Sequence, residues 1–339
     1  MRNEKKLEVA VLGLEGNADE LGFLQGNHFK IGPGFERMKV LQQHINTREA
    51  TQLLEVFSPA FSQELAGLAR GAGIDMKTAV QLFSGYNVVM PPMGCSTYAN
   101  NTYYVRNYDY SDTLYDARFV FQKPASGYAS VGFSQQILGR LDGMNEKGLV
   151  IGLHFVNEQF KGNGFLATTI CRLVLDQCAT TEEAIALIEE LPHQYCYNFS
   201  ILDENGNTVI IEAAPDEQSV HRSTPITCTN HFEVQKLKNN GNREMLSGSL
   251  NRKYNMENLN IEKENPLHYY KSFNNEKSQL FSNRYEDFFG TLHTVVYCPE
   301  DLSVIVGVGG NCEAYTFSFR EWMLGKEMLP EAMEGVIRK

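Results

Sequence analysis

A layered α+β fold, with helices packed on antiparallel sheet, is what this sequence predicts. Three observations point to it. The opening section is dominated by helical periodicity, the chain changes at Pro91-Pro92-Met93-Gly94-Cys95 to short β-rich runs, and a pair of helical patterns later on is enclosed by further strands. The strict strand–helix alternation of a doubly wound parallel sheet is missing.

The elements follow in order. After a short strand-like run, LEVAVLGL, three helical patterns cover 34–57, 59–70 and 75–88, the second with a proline in its first turn and the third opened by an Asp cap. From Cys95 onward TYYVRNY, ARFVFQK, YASVGF and LVIGLHFV read as strands, being rich in aromatic and β-branched residues. FLATTICRLVLDQC and TTEEAIALIEEL are two amphipathic helices, the second opened by a capping-box pattern. YNFSIL and TVIIEAA, joined by a turn containing Asn-Gly, form a hairpin; SVHRS, ITCTNHF, HTVVYCPEDLSVIVGVGG and AYTFSFR supply the remaining strands. Between about 237 and 283 a polar Asn-, Lys- and Glu-rich segment reads as a solvated insertion. The domains expected are a helical N-terminal segment, 1–94, and a main body, 95–339.

Bulk properties exclude several classes of function. A net charge of −11 and an absence of basic stripes speak against nucleic acid, and no apolar run is long enough to span a membrane or serve as a secretory signal. Seven cysteines in irregular spacing, without Cys-x-x-Cys, give neither a disulfide framework nor a thiolate metal site, so a cytoplasmic protein with reduced thiols is expected. The eight histidines form no metal-ligand motif, and the glycines of VGVGGN are not followed by a helix that would bind phosphate. No cofactor and no metal are expected.

Cys95 is the candidate nucleophile. A cysteine at its ordinary pKa is only slightly ionised at neutral pH and needs a base or a nearby cation. Cutting the Gly94–Cys95 bond would free an α-amine on the same residue, one able to take the thiol proton. Gly94 and the two prolines before it suit a constrained cut site. Eleven residues on, Arg106-Asn107-Tyr108-Asp109 ends the next strand pattern. A hairpin returning past Cys95 would bring up Arg106 to lower the thiol pKa and Asp109 to hold the amine; the plainer alternative is that Arg106 and Asp109 form a surface ion pair.

Gly94-Cys95, RNYD at 106–109, DGMNEKGL at 142–149, TNH at 229–231 and SNRYEDF at 282–288 resemble, in this order, the signature of the choloylglycine hydrolase group of N-terminal-nucleophile hydrolases. That group includes penicillin V acylases, bile salt hydrolases and acyl-CoA:6-aminopenicillanate acyltransferases. The long arm before the cysteine is closer to the acyltransferase branch, whose precursor splits into a small and a large chain. The resemblance implies an αββα sandwich of two antiparallel sheets between helical layers. It makes Cys95 nucleophile and base, Arg106 and Asp109 its electrostatic support, Asn230 an oxyanion donor and Arg284 a brace. His154 and His231 fall in the substrate and oxyanion pocket; His154 stands where related enzymes place Asn or Tyr and is expected to act through its backbone N–H.

The function expected is self-processing hydrolysis of a linear, non-peptide N-acyl amide through a thioester. An acyltransferase passing the group to an amine is the second expectation, and an unprocessed, non-catalytic binding protein the third. The partner is a small N-acyl amide or acyl thioester, the two processed chains stay together, and a homo-oligomer is left open. The segment at 237–283, bounded by Asn230 and Arg284, is expected to form part of the pocket rim or a lid.

Overall fold

The computed structural model describes residues 4–29, 33–89, 91, 93–158, 161–238, 243–259 and 265–339. Pro92, part of the stiff approach expected before the cut site, lies outside them, as do 239–242 and 260–264 of the polar segment.

The chain opens on β1 (Glu4–Gly16), longer than the strand pattern predicted, and continues into α1 (Ala18–His28), α2 (Pro33–Leu41), α3 (Thr47–Phe57), α4 (Pro59–Ala72) and α5 (Met76–Phe83). The single helix expected over 34–57 is two. Asn46 caps the second by accepting from the Glu49 N–H at 3.2 Å, which offers the backbone an alternative to continuing the first. Strands β2 (Gly94–Ala99), β3 (Tyr104–Tyr110), β4 (Arg118–Pro124), β5 (Ser130–Gln135), β6 (Gly139–Arg140), β7 (Asp142–Asn145) and β8 (Val150–Val156) follow. Next come α6 (Ala167–Gln177) and α7 (Thr181–Glu190), the latter capped by Thr180 accepting from Glu183 N–H, then β9 (Cys196–Leu202), β10 (Thr208–Ala213), β11 (Gln218–Arg222) and β12 (Ile226–Cys228). The polar segment is not merely solvated. It holds α8 (Arg243–Glu257) and α9 (Pro266–Phe273), with Tyr269, Tyr270 and Phe273 buried. The chain ends with β13 (Asn283–Arg284), β14 (Phe289–Cys298), β15 (Ser303–Val308), β16 (Tyr315–Ser318), α10 (Phe319–Met323) and β17 (Ala332–Arg338).

Two sheets result. The larger runs β11-β10-β9-β8-β7-β5-β4-β1-β17, with β6 beside β5; the smaller runs β12-β2-β3-β14-β15-β16, with β13 beside β14. They pack on one another through β2 against β8, while α6 and α7 cover the outer face of the larger sheet and α8 and α9 that of the smaller. This is the expected sandwich between helical layers, with one departure: β1 lies parallel to β4 in an otherwise antiparallel ladder.

That departure ties the N-terminal segment into the body. β1 is hydrogen-bonded along both edges, to β4 and to β17. Behind it, Arg172 of α6 donates to Glu64 of α4 at 2.6 Å and to Asp176 at 2.9 Å, all three side chains largely or wholly buried. Breaking such a pair leaves an uncompensated buried charge, which costs about 3–5 kcal/mol. No helix among the described residues is long and apolar enough to cross a membrane.

Candidate active site

Strand alternation builds the site. In the β2–β3 ladder Cys95 lies opposite Tyr108, Thr97 opposite Arg106 and Gly94 opposite Asp109. Successive side chains point to opposite faces, so Cys95 and Arg106 share the face toward the larger sheet while Asp109 stands on the other, beside Gly94. Arg106 and Asp109 are therefore not an ion pair; they flank one peptide from two sides.

On the inner face Arg106 Nη2 donates to Cys95 Sγ at 2.9 Å and to the Leu153 carbonyl at 2.7 Å, and Nη1 donates to Asp142 Oδ2 at 2.6 Å. The arginine stem passes over Gly152, where a Cβ would lie 3.0 Å from Arg106 Cδ and 2.1 Å from the Tyr104 hydroxyl; only glycine leaves that space. Cys95 is completely buried, and burial pushes its thiol up to about 12 although Arg106 pulls the other way. The thiol-lowering effect expected of Arg106 is thus present but outweighed by burial.

On the outer face Asp109 Oδ1 accepts from Thr291 Oγ1 at 2.6 Å, and Oδ2, equally buried, has no partner. Burial raises the Asp109 pKa, against the pull of Arg252, Thr291 and Arg106. A Cβ on Gly94 would lie 3.1 Å from that of Asp109 and 2.3 Å from the Phe289 ring, so this residue also has to be small.

Asn230, just past β12, brackets the Gly94–Cys95 peptide. Its Oδ1 accepts the Cys95 N–H at 2.9 Å; its Nδ2 donates to the Phe155 carbonyl at 2.9 Å and the Met93 carbonyl at 3.3 Å. Arg252 of α8 fixes this orientation, donating to Asn230 Oδ1 at 2.7 Å and to Ser96 Oγ at 2.9 Å. Ser249, one turn earlier, accepts the Asn230 N–H at 2.8 Å.

Arg252, and not Arg284, is the arginine that meets Asn230. Arg284 is exposed and bonded to Asp287 at 2.9 Å, because the tight helical turn at 285–287 holds it at the surface. The side chains of His154 and His231 are not among those lining the cavity beside Met93, Phe155 and Asn230. The His154 side chain points between the sheets, with Nε2 2.9 Å from Ser200 Oγ, and burial followed by the nearby Arg106 holds its pKa well below the usual histidine range. His231 sits behind Asn230, with Nδ1 2.8 Å from Ser249 Oγ, its pKa lowered by burial to about 4.

Beside Met93, Phe155 and Asn230 opens a cavity of about 740 Å³, walled further by Tyr110, Leu114, Phe288 and Phe289, with Arg252 and Arg284 on its border. Its volume is that of a small-molecule site. Tyr110, at the end of β3, is part of this wall. The polar segment contributes Gly248 and Arg252 to the border through α8, whereas α9 packs behind the smaller sheet.

Sequence reasoning did not single out Asp142, which meets Arg106, or Arg252, which meets Asn230. Asp142 opens the DGMNEKGL motif, and its burial next to an arginine-bearing strand is a tertiary fact. Arg252 lies in a segment whose composition suggests solvent.

Residues 96–312 match the family model described as acyl-coenzyme A:6-aminopenicillanic acid acyl-transferase. Among solved structures, penicillin V acylase from Agrobacterium tumefaciens is 16% identical, over 67% of this chain and 86% of its own, with a TM-score of 0.46. A mutant of conjugated bile acid hydrolase from Clostridium perfringens is 13% identical, over 68% and 93%, with a TM-score of 0.44. The Caenorhabditis elegans ortholog of N-acylethanolamine-hydrolyzing acid amidase is 12% identical, over 61% and 93%, with a TM-score of 0.40. No curated protein matches the chain significantly.

Proposed function

Because the chain belongs to the acyl-coenzyme A:6-aminopenicillanic acid acyl-transferase family, we propose that it is a self-processing cysteine amidase that hydrolyses a linear, non-peptide N-acyl amide. The observation that carries this reading is the set of partners on Cys95: Arg106 on its sulfur and Asn230 on its peptide N–H, both at 2.9 Å.

In the uncut chain the Cys95 thiol attacks the Gly94 carbonyl, the Cys95 nitrogen leaves as an amine, and water releases Gly94 from the thioester. Segment 1–94 stays in place through β1 and the Glu64–Arg172 pair. The freed α-amine keeps Asn230 Oδ1 as its acceptor, and Asp109, paired with Gly94 across the ladder, offers its unpartnered Oδ2 as a second one. In turnover the thiol proton passes to this amine as sulfur adds to the substrate carbonyl. The oxyanion then takes up an Asn230 Nδ2 donor, and the same proton leaves with the amine product.

The apolar walls suit an alkyl or aromatic acyl group. Transfer of that group to an amine is the second reading, favoured by the family match. The seven free cysteines suit action in a reducing compartment such as the cytoplasm.

The test offers N-acyl amides and acyl thioesters to wild type and to Cys95→Ala, with and without added amine, and reads acid-quenched protein by mass. The expected result is an acyl adduct on the 95–339 chain of wild type only, with free acid as main product. Amide as main product selects the transferase reading; turnover by Cys95→Ala refutes both.

A further inference from the structure

Arg106 reaches across the sandwich with both ends of its guanidinium committed. One end meets Cys95 Sγ at 2.9 Å, the other Asp142 Oδ2 at 2.6 Å, and all three residues are fully buried. An arginine alone, this close to sulfur in a medium of low dielectric, is a strong stabiliser of thiolate. A carboxylate against its far side weakens that effect, in the same direction as the burial that does most to keep the sulfur protonated.

Asp142 is itself firmly held as a carboxylate. Tyr297 donates to its Oδ1 at 2.6 Å, and His293 Nε2 lies 3.4 Å from Oδ2. The Tyr115 hydroxyl lies 2.8 Å from His293 Nδ1. In a neutral ring that accepts there, the proton sits on Nε2 and faces Asp142. His293 is stacked on Phe133 with ring centres 3.5 Å apart, and burial keeps the imidazole neutral, so no second cation competes for the carboxylate. Burial opposes ionisation of Asp142, but Arg106, His293 and Tyr297 together hold its pKa below the usual carboxylate value. Among the other groups facing Cys95, His154 of β8 is neutral, Tyr104 and Tyr108 of β3 keep their protons, and Asp109 offsets Arg252 of α8.

We propose that Asp142 is a positioning residue that acts as counter-charge to Arg106, aiming the guanidinium at Cys95 while weakening its pull on the thiol proton. The inference rests on the reading of Cys95 as nucleophile and adds a determinant of its resting protonation state. A neutral thiol retains the proton that the α-amine takes as the sulfur–carbon bond forms, and that the leaving nitrogen receives when the carbon–nitrogen bond breaks. A thiolate held by an unopposed Arg106 would have given up its proton before the sulfur–carbon bond forms, and its lowered pKa would make it a weaker nucleophile than a thiolate of ordinary pKa.

A charge cycle tests this. Asp142→Asn, Arg106→Gln and the double variant are titrated by the ultraviolet absorbance of thiolate, each against its own Cys95→Ala background. The readout requires neither cutting nor turnover. The expected order of apparent thiol pKa is Asp142→Asn below wild type, the double variant near wild type, and Arg106→Gln above it, with steps of about one to three units. An Asp142→Asn thiol titrating at or above wild type overturns the proposal. Should Asp142→Asn alone not fold, the neutral pair decides, since replacing both members of a buried ion pair is tolerated better than removing one. A double variant matching wild type supports the counter-charge, and one matching Arg106→Gln overturns it. An inert wild type that still shows the expected order refutes the amidase reading and leaves the counter-charge intact; an active wild type without that order does the reverse.

Discussion

Replacing Asp109 by asparagine should raise the stability of the protein while slowing its chemistry. Asp109 is wholly buried, with Oδ1 bonded to Thr291 at 2.6 Å and Oδ2 unpartnered. A buried polar group left without a partner costs about 1–3 kcal/mol. Asparagine keeps the acceptor for Thr291 and exchanges a charged orphan atom for an uncharged one, so a gain on the order of 1 kcal/mol is expected at neutral pH. The pH dependence has a definite sign. Burial raises the folded pKa of Asp109 above its unfolded value, so the native state binds the proton more tightly. The wild type is therefore penalised progressively as pH climbs from the ordinary carboxylate pKa of about 3.9 through the raised folded value, and the penalty is constant above it. The advantage of Asp109→Asn is absent below that window and full above it. Urea denaturation at a series of pH values, in a Cys95→Ala background so that every chain is uncut, measures it. On the proposed mechanism the same change removes the anionic partner of the α-amine. A charge-assisted hydrogen bond is worth about 1.5–3 kcal/mol, so kcat should fall roughly 10- to 100-fold. A variant that is less stable at neutral pH, or that turns over at the wild-type rate, refutes the reasoning.

Further outcomes follow from the same geometry. Arg252→Met frees the Asn230 amide to turn, so kcat should fall by about 100-fold, the scale of a lost oxyanion donor, with KM changed far less; steady-state kinetics on the processed fraction decides it. Arg284→Ala removes a solvent-exposed pair with Asp287 and should change stability by less than about 1 kcal/mol and leave kcat near wild type. Arg172→Met strands Glu64 and Asp176, should cost about 3–5 kcal/mol, and should let the 1–94 chain separate from 95–339 on gel filtration after cutting. His154→Asn should leave the shape of the pH–rate profile around neutral pH unchanged, because burial already holds the imidazole pKa well below the usual histidine range.

What the sequence disclosed depended on how local each signal was. The hairpin at 196–213 and the capped helix at 181–190 were legible because turn chemistry and caps lie within a few residues of what they control. Cys95, Arg106 and Asp109 were legible as a group because one two-strand register relates them, and that register also places Arg106 and Asp109 on opposite faces. Helix α1 went unread although Asn17 and Glu20 form a capping box; its pattern contains glycines at 22 and 26, where a Cβ would strike the α4 backbone. Arg252 and Arg284 show the limit most clearly. Both are arginines in polar surroundings, and only the packing of α8 over β2 and β12 decides which one meets Asn230.

The central claim is that Cys95 unmasks itself by cutting the bond before it, and intact mass spectrometry of freshly made wild type against Cys95→Ala tests it most directly. Wild type should convert with time into two species corresponding to residues 1–94 and 95–339, while Cys95→Ala remains a single chain of 339 residues. A wild type that stays whole and yet turns over an N-acyl amide, or a Cys95→Ala protein that is cut at Gly94, would contradict it.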